Sequence, residues 1–189
     1  MSVEKKLYII AGCNGAGKTT ASKKFLPENI IFVNADMIAF ELRPNNVESV
    51  AFIAGKIMLN RIDELFSKGE SFAIETTLSS KLYIQKINIA RLLGYHIHLL
   101  YFWLNDVEIA IKRVEIRVAQ GGHNIEYQVI RRRYKRGIDN LFNIYLPLAD
   151  EIMIFDNSEI KLELIAEKYI SNQLFISNKH KWNQLTSNL

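Results

Sequence analysis

Eight consecutive residues, Gly12-Cys13-Asn14-Gly15-Ala16-Gly17-Lys18-Thr19, carry the spacing G-x-x-x-x-G-K-[ST] of a phosphate-binding loop. The loop follows directly on the apolar run Leu7-Tyr8-Ile9-Ile10, the strand-then-loop context that the motif requires. Glycines let such a loop curl so that its backbone N–H groups converge on phosphate oxygens. Lys18 adds positive charge at the β- and γ-phosphates, and Thr19 offers a hydroxyl to Mg²⁺. A helix starting near Gly17 turns its positive end toward the same anion. Residues Gly12 to Thr20, with Asn14, Gly15, Ala16 and Gly17 among them, are therefore expected to hold a nucleoside triphosphate. They say nothing about what receives the phosphate.

Acids and hydroxyls follow the other apolar runs. Asp36 comes after Ile30–Asn34, Glu75-Thr76-Thr77 after Ser71–Ile74, Asn105-Asp106 after His96–Leu104, and Asp156-Asn157-Ser158 after Glu151–Phe155. A kinase acting on a hydroxyl needs a carboxylate to orient that hydroxyl and take its proton. Asp36 can be that base, or it can cap a helix over Met37–Leu42. Glu75 can hold Mg²⁺ through water, as a Walker B acid does, or hydrogen-bond a substrate.

Arginines form a second group. Arg113 and Arg117 are four residues apart and share a helix face, while Arg131-Arg132-Arg133 and Arg136 lie on the next helix. Consecutive helical residues diverge by about 100°, so the triplet cannot converge on one point. Gly121-Gly122-His123 between the two helices reads as a flexible lid tip. Forked cations on a lid would stabilise a transferring phosphoryl group. His123 reads as a packing or capping residue. His96 and His98 alternate along a strand with no chemistry assigned to them, and no Cys/His cluster suggests zinc.

The elements that must position these groups alternate. Apolar bursts of strand length are separated by helical patterns, of which Val47–Ser67, with Val47, Val50, Ala51, Ala54, Met58, Ile62 and Leu65 on one stripe, is the longest. Asp106 caps a helix through Val118, and Glu126–Phe142 forms another. The order predicts a three-layer α/β domain with a parallel sheet, and with the loop and the arginines this reads as a P-loop NTPase/kinase fold with an arginine-bearing helical lid. Residues 1–158 are expected to form the kinase domain, with the lid at about 119–136, and residues 159–189 a helix and strand extension packed on it. Within that extension Leu162–Ile170 reads as helix and Gln173–Ile176 as a short strand.

Composition sets the outer limits. The 189 residues are 49% hydrophobic, enough for a layered core, and the net charge of +4 is concentrated in Lys112–Arg136, which favours a local anionic ligand over a nucleic-acid footprint. A single cysteine, Cys13, rules out an internal disulfide and fits a reducing cytoplasm. It reads as a small filler. Lys5-Lys6 and Leu7–Ile10 before Cys13 imitate an export signal, but the apolar core is shorter than the roughly 7–15 residues of an h-region. No run approaches a membrane span, so a cytoplasmic location is expected.

Together, Gly12–Thr20, Phe32–Asp36, Glu75–Ser79, Ala110–Val114 with Arg117-Val118, Gly121–His123, Arg131–Tyr134 and Asp156–Ser158 resemble the zeta-toxin family of P-loop kinases. The chain looks like the short branch often labelled a predicted ABC-type ATPase, although it lacks the ABC signature. The resemblance implies an ATP- or GTP-dependent, Mg²⁺-dependent kinase that phosphorylates the 3′-hydroxyl of UDP-N-acetylglucosamine. It also implies a small three-helix antitoxin that blocks the nucleotide site. Lys18 and Thr19 match the phosphate and Mg²⁺ residues, and Asp36 matches the base. Glu75 and Thr77 match substrate contacts, a role also expected of Arg117. Arg113 matches a γ-phosphate arginine, and Arg132 is the favoured second one. Ser79 stands where larger members carry an arginine. The residues taken alone also admit a nucleoside, antibiotic or polynucleotide-end kinase, or a slow ATPase that acts through a partner.

Overall fold

The computed structural model describes residues 4–169 and 173–187. Strands β1 (Lys5–Ala11), β2 (Ile31–Val33), β3 (Phe72–Thr76), β4 (Tyr95–Trp103), β5 (Glu151–Asp156), β6 (Glu163–Lys168) and β7 (Leu174–Ile176) form one sheet in the order β2-β3-β1-β4-β5-β6-β7. The first five strands run parallel, and β6 and β7 add antiparallel edges. Helices α1 (Lys18–Ser22), α2 (Ala35–Leu42), α3 (Ala51–Lys68), α4 (Tyr83–Leu92), α5 (Val107–Ala119), α6 (Tyr127–Asn140), α7 (Leu146–Leu148) and α8 (Lys179–Thr186), with a 3-10 turn over Val47–Val50 and a π-helical turn over Leu141–Tyr145, complete the described elements.

Strand alternation sends side chains to two faces, and each face carries its own core. Leu7, Ile9, Ile97, Leu99 and Tyr101 pack with Ala54, Met58 and Ile62 of α3 and Ile87 of α4. Tyr8, Ile10, Leu100 and Phe102 pack with Ala110, Ile111 and Val114 of α5 and Ile130 of α6. The three layers expected from the sequence are thus present, and β1, the strand that delivers the P-loop, is central. Ala51 departs from the expected stripe: it is exposed at the first turn of α3, after a 3-10 turn over Val47–Val50.

One expectation fails. Most of Leu162–Ile170, read as helical, is strand β6, and Ile170 lies outside the described residues. Glu163-Leu164-Ile165-Ala166-Glu167-Lys168 has helix-compatible composition, but the edge of β5 needs a hydrogen-bonding partner. A register shift opposite Ile154/Phe155 lets Ile165 and Ala166 both bury, while Leu164 joins the other core. Tertiary pairing overrides local propensity here. No helix among the described residues is long and apolar enough to cross a membrane.

Candidate active site

The P-loop follows the carboxyl end of β1, and its glycines are sterically required. A Cβ on Gly12 (φ 142°) would lie 2.3 Å from Phe102 O, and one on Gly15 (φ 78°) 2.6 Å from Ala110 O. Gly17 (φ 71°) has Asn157 Nδ2 where its Cβ would be, at 2.6 Å. The loop can therefore lie against β4, α5 and the end of β5 only with glycine at these places.

Lys18 is buried. Its Nζ donates to Cys13 O at 3.0 Å and lies 3.6 Å from Glu75 Oε1. Glu75 Oε2 accepts from Thr19 Oγ1 at 2.6 Å. One carboxylate at the end of β3 thus holds both polar side chains of the motif, as an acid beside a hydrated Mg²⁺ must. The glycine cradle, the Thr19 hydroxyl and the Glu75 carboxylate are a donor set that suits Mg²⁺ with a nucleotide. Cys13 is buried, and its thiol is pushed up to about 11 by that burial, consistent with a filler.

Asp36 stands opposite. The cap of α2 is Asn34: its Oδ1 accepts from the backbone N–H groups of Asp36 at 2.7 Å and Met37 at 3.4 Å. Asp36 is therefore not the capping side chain, and its carboxylate is exposed in the first turn. Its charge acts to raise the proton affinity of Tyr83, His123 and Arg133, although at Arg133 burial is the larger cause and the net shift is downward. In Tyr83 burial is the larger cause, and together they push the phenol up to about 12. In His123 burial and then Arg117 outweigh Asp36, and the imidazole titrates below its ordinary value.

Two cavities meet at Asn34, Asp36 and Glu75. The first, about 230 Å³, is also lined by Lys18, Arg133, Thr77, Ser79 and Tyr83. The second, about 320 Å³, adds Thr19, Arg117, His123, Met37 and Phe40. Thr77 Oγ1 and Ser79 Oγ are 2.8 Å apart, so the first cavity presents a hydroxyl-rich wall. Between them Leu78 has a left-handed backbone (φ 54°) with its side chain fully buried. Asn140 Nδ2 donates to Leu78 O at 2.6 Å, and Leu78 N donates to Thr76 Oγ1 at 3.1 Å, which hold this strained residue in place.

The arginines are arranged differently from expectation. Arg132 is exposed, and the member of the triplet that faces the P-loop is Arg133, whose Nη1 donates to Asn14 Oδ1 at 3.1 Å. Ile130, Tyr134 and Ile138 fix the inward face of α6, and Arg133 sits beside that stripe whereas Arg132 points away from it. Arg113 lines neither cavity. Its guanidinium donates to Asn157 O at 2.8 Å and Ser158 O at 2.9 Å, which ties α5 to the loop after β5. Asn157 in turn donates from Nδ2 to Ala16 O at 2.8 Å, so this loop braces the P-loop from behind. Arg117 does line the second cavity, and its Nη2 donates to His123 O at 3.1 Å.

Sequence reading left Asn34, Tyr83 and Asn157 without a site role. Asn34 carried a usable signal, an Asx residue one position before the helix. Asn157 carried its place at a strand end and its membership of the Asp156–Ser158 segment that matches the family, neither of which points to the P-loop.

The sequence model of the family described as Zeta toxin matches residues 2–168. A Haemophilus influenzae protein described only as uncharacterized is 31% identical over 140 residues, covering 70% of this chain and 99% of its own length. Among solved structures, AvrRxo1-ORF1:-ORF2, solved with ATP, matches with a TM-score of 0.76 at 17% identity over 99% of this chain. This chain spans only 65% of that one. A chain of the PezAT chromosomal toxin–antitoxin system of Streptococcus pneumoniae matches with a TM-score of 0.64 at 18% identity, covering 99% of this chain and 85% of its own. At such identities these structures establish the shared fold alone.

Proposed function

The chain belongs to the Zeta toxin family, and on that premise we propose that it is an ATP-dependent kinase that phosphorylates a hydroxyl of a small polyhydroxylated molecule. The observation that carries the reading is the Asp36 carboxylate, relieved of capping by Asn34 and set at the junction of two cavities opposite Lys18 and Thr19. We take the catalytic unit to be residues 1–158, with residues 159–189 packed upon it.

In this reading the P-loop amides and Lys18 hold the triphosphate. Mg²⁺, held by Thr19 with Glu75 behind it, would neutralise charge on the phosphate oxygens. The acceptor lies along Thr77 and Ser79 with its hydroxyl on Asp36. The hydroxyl oxygen bonds to the γ-phosphorus as the bond to the β,γ-bridging oxygen breaks, and the proton passes to Asp36. Arg133, with Arg117 from the opposite side, stabilises charge on the group in flight. Arg113 serves by positioning the P-loop through Asn157.

UDP-N-acetylglucosamine, which the family resemblance suggests, is the first acceptor to test. The PezAT and AvrRxo1 complexes also support a small antitoxin partner, and the half-exposed Met37 and Phe40 at the mouth of the second cavity give it an apolar landing. The decisive experiment incubates the protein with γ-labelled ATP and either UDP-N-acetylglucosamine or a cell metabolite extract, with mass identification of labelled products. A labelled small molecule that disappears in Asp36→Asn, with ATP affinity retained, supports the proposal. Slow ATP hydrolysis without any labelled product, or turnover unchanged in Asp36→Asn, overturns it.

A further inference from the structure

At the amino ends of the strands, opposite the P-loop, the face that carries Tyr8 and Leu100 emerges from under its covering helices. Strand register sets Tyr8 beside His98 and His98 beside Glu151, with His96 one pleat further along β4 on the same face. These three polar residues are half-buried in the middle of the sheet, where apolar side chains would be expected. Their contacts are close: His98 Nδ1 is 3.0 Å from Glu151 Oε2, and His96 Nε2 is 3.4 Å from Glu151 Oε1. The three residues offer ligand atoms that all lie within 4.8 Å of one another.

We infer that His96, His98 and Glu151 form a binding site for one divalent transition-metal ion of the zinc type, separate from the nucleotide site.

Geometry is the first support. Zinc holds nitrogen and oxygen ligands at about 2.0–2.2 Å, so neighbouring ligand atoms in a tetrahedron are about 3.3–3.5 Å apart. The observed 3.0 and 3.4 Å, measured to the two different oxygens of Glu151, lie below and within that range, and side-chain rotation closes the wider separations, which reach up to 4.8 Å. Polar satisfaction is the second. The Nε2 atoms of both histidines are buried without a hydrogen-bond partner, which is costly for an imidazole and is relieved at His96 by an ion shared with the carboxylate. Glu4 Oε1 lies 3.8 Å from His96 Nδ1, beyond hydrogen-bond reach but near enough for its negative charge to favour a cation on that ring. A cavity of about 220 Å³, lined by Tyr8, Phe25, His98, Glu151 and Met153, gives access, with water as the fourth ligand.

Ligand chemistry separates this site from the catalytic one. Two imidazoles and one carboxylate suit Zn²⁺, whereas Mg²⁺ prefers oxygen ligands. Two histidines alternating on a strand are too few to signal zinc from sequence, and the third ligand, Glu151, is brought in only by sheet register. An ion here would join β4 to β5 at their first residues.

The test uses full-length, tag-free protein stripped with a chelator, titrated with Zn²⁺ by calorimetry and with Co²⁺ by visible absorption. The expected result is one ion per chain, with the ligand-field bands of four-coordinate Co²⁺ and a raised melting temperature. His96→Ala and Glu151→Gln should each weaken Zn²⁺ binding by more than about a hundredfold, and Glu4→Gln by about tenfold. Glu151→Gln is nearly isosteric, so it serves if His96→Ala does not fold, with circular dichroism as the check. Lys18→Ala and His123→Asn should bind Zn²⁺ as the parent does. No saturable binding, binding that survives Glu151→Gln, or binding lost in His123→Asn overturns the assignment.

Discussion

Arg133→Ala compared with Arg132→Ala isolates the helical phase of α6 as a catalytic variable. The Arg133 guanidinium is half-buried, is held by Asn14 at 3.1 Å, and borders the cavity shared by Lys18 and Asp36. A cation about 4 Å from a transferring phosphoryl at an effective dielectric of about 20 is worth at most about 4 kcal/mol. Loss of one preorganised charge-stabilising group typically costs about 2.7–4 kcal/mol, or about 10²–10³ in kcat. Arg133→Ala should therefore lower kcat by that factor, with a much smaller change in the KM for ATP. It also strips a partner from Asn14, which is only 5% exposed, so stability should fall by about 1–3 kcal/mol in denaturant titration. Arg132 is exposed, and Arg132→Ala should stay within about 0.5 kcal/mol in both measurements. The assay is initial-rate transfer from γ-labelled ATP to the acceptor that the labelling experiment yields. Equal losses in the two variants, or a loss confined to Arg132→Ala, would refute the assignment of Arg133.

Other outcomes follow from the same geometry. Glu75→Gln removes the charge that holds Lys18 and Thr19, so the Mg²⁺ concentration for half-maximal activity should rise by about tenfold or more in a metal titration. Gly137→Ala would place a Cβ 2.7 Å from Thr77 O, and the forced shift should cost about 1–3 kcal/mol by chemical denaturation. For His123, burial and Arg117 lower the folded-state proton affinity, so the unfolded chain binds more protons between the folded value and about 6.5. Stability should fall as pH drops through about 6.5, and His123→Asn should flatten that slope in urea midpoints measured across the range.

Much of the site was legible because its signals are local. The P-loop is contiguous, and Asp36 and Glu75 each follow a strand-like run, so their placement at one end of the sheet follows from parallel topology. Signals that depend on orientation were less legible. Arg131, Arg132 and Arg133 are chemically identical, and only their tertiary contacts separate them: Arg131 is exposed and pairs with Glu108, Arg132 is exposed, and Arg133 reaches Asn14. Arg113 looked like a phosphate ligand until the carbonyls of Asn157 and Ser158, over 40 residues away in sequence, claimed its guanidinium. Strand β6 was misread for the same reason, since its identity is set by the open edge of β5 more than by its own residues.

Gly137 bears directly on Thr77 O, Asn140 grips Leu78 O, and Tyr145 OH donates to Ser80 O at 2.7 Å. The wall that would contact the acceptor and the helix that supplies Arg133 are thus bolted together. A substitution on either element is therefore expected to displace the other. A chimera that transplants residues 76–83 from a relative with another acceptor should work only when the segment from Arg133 to Tyr145 travels with it.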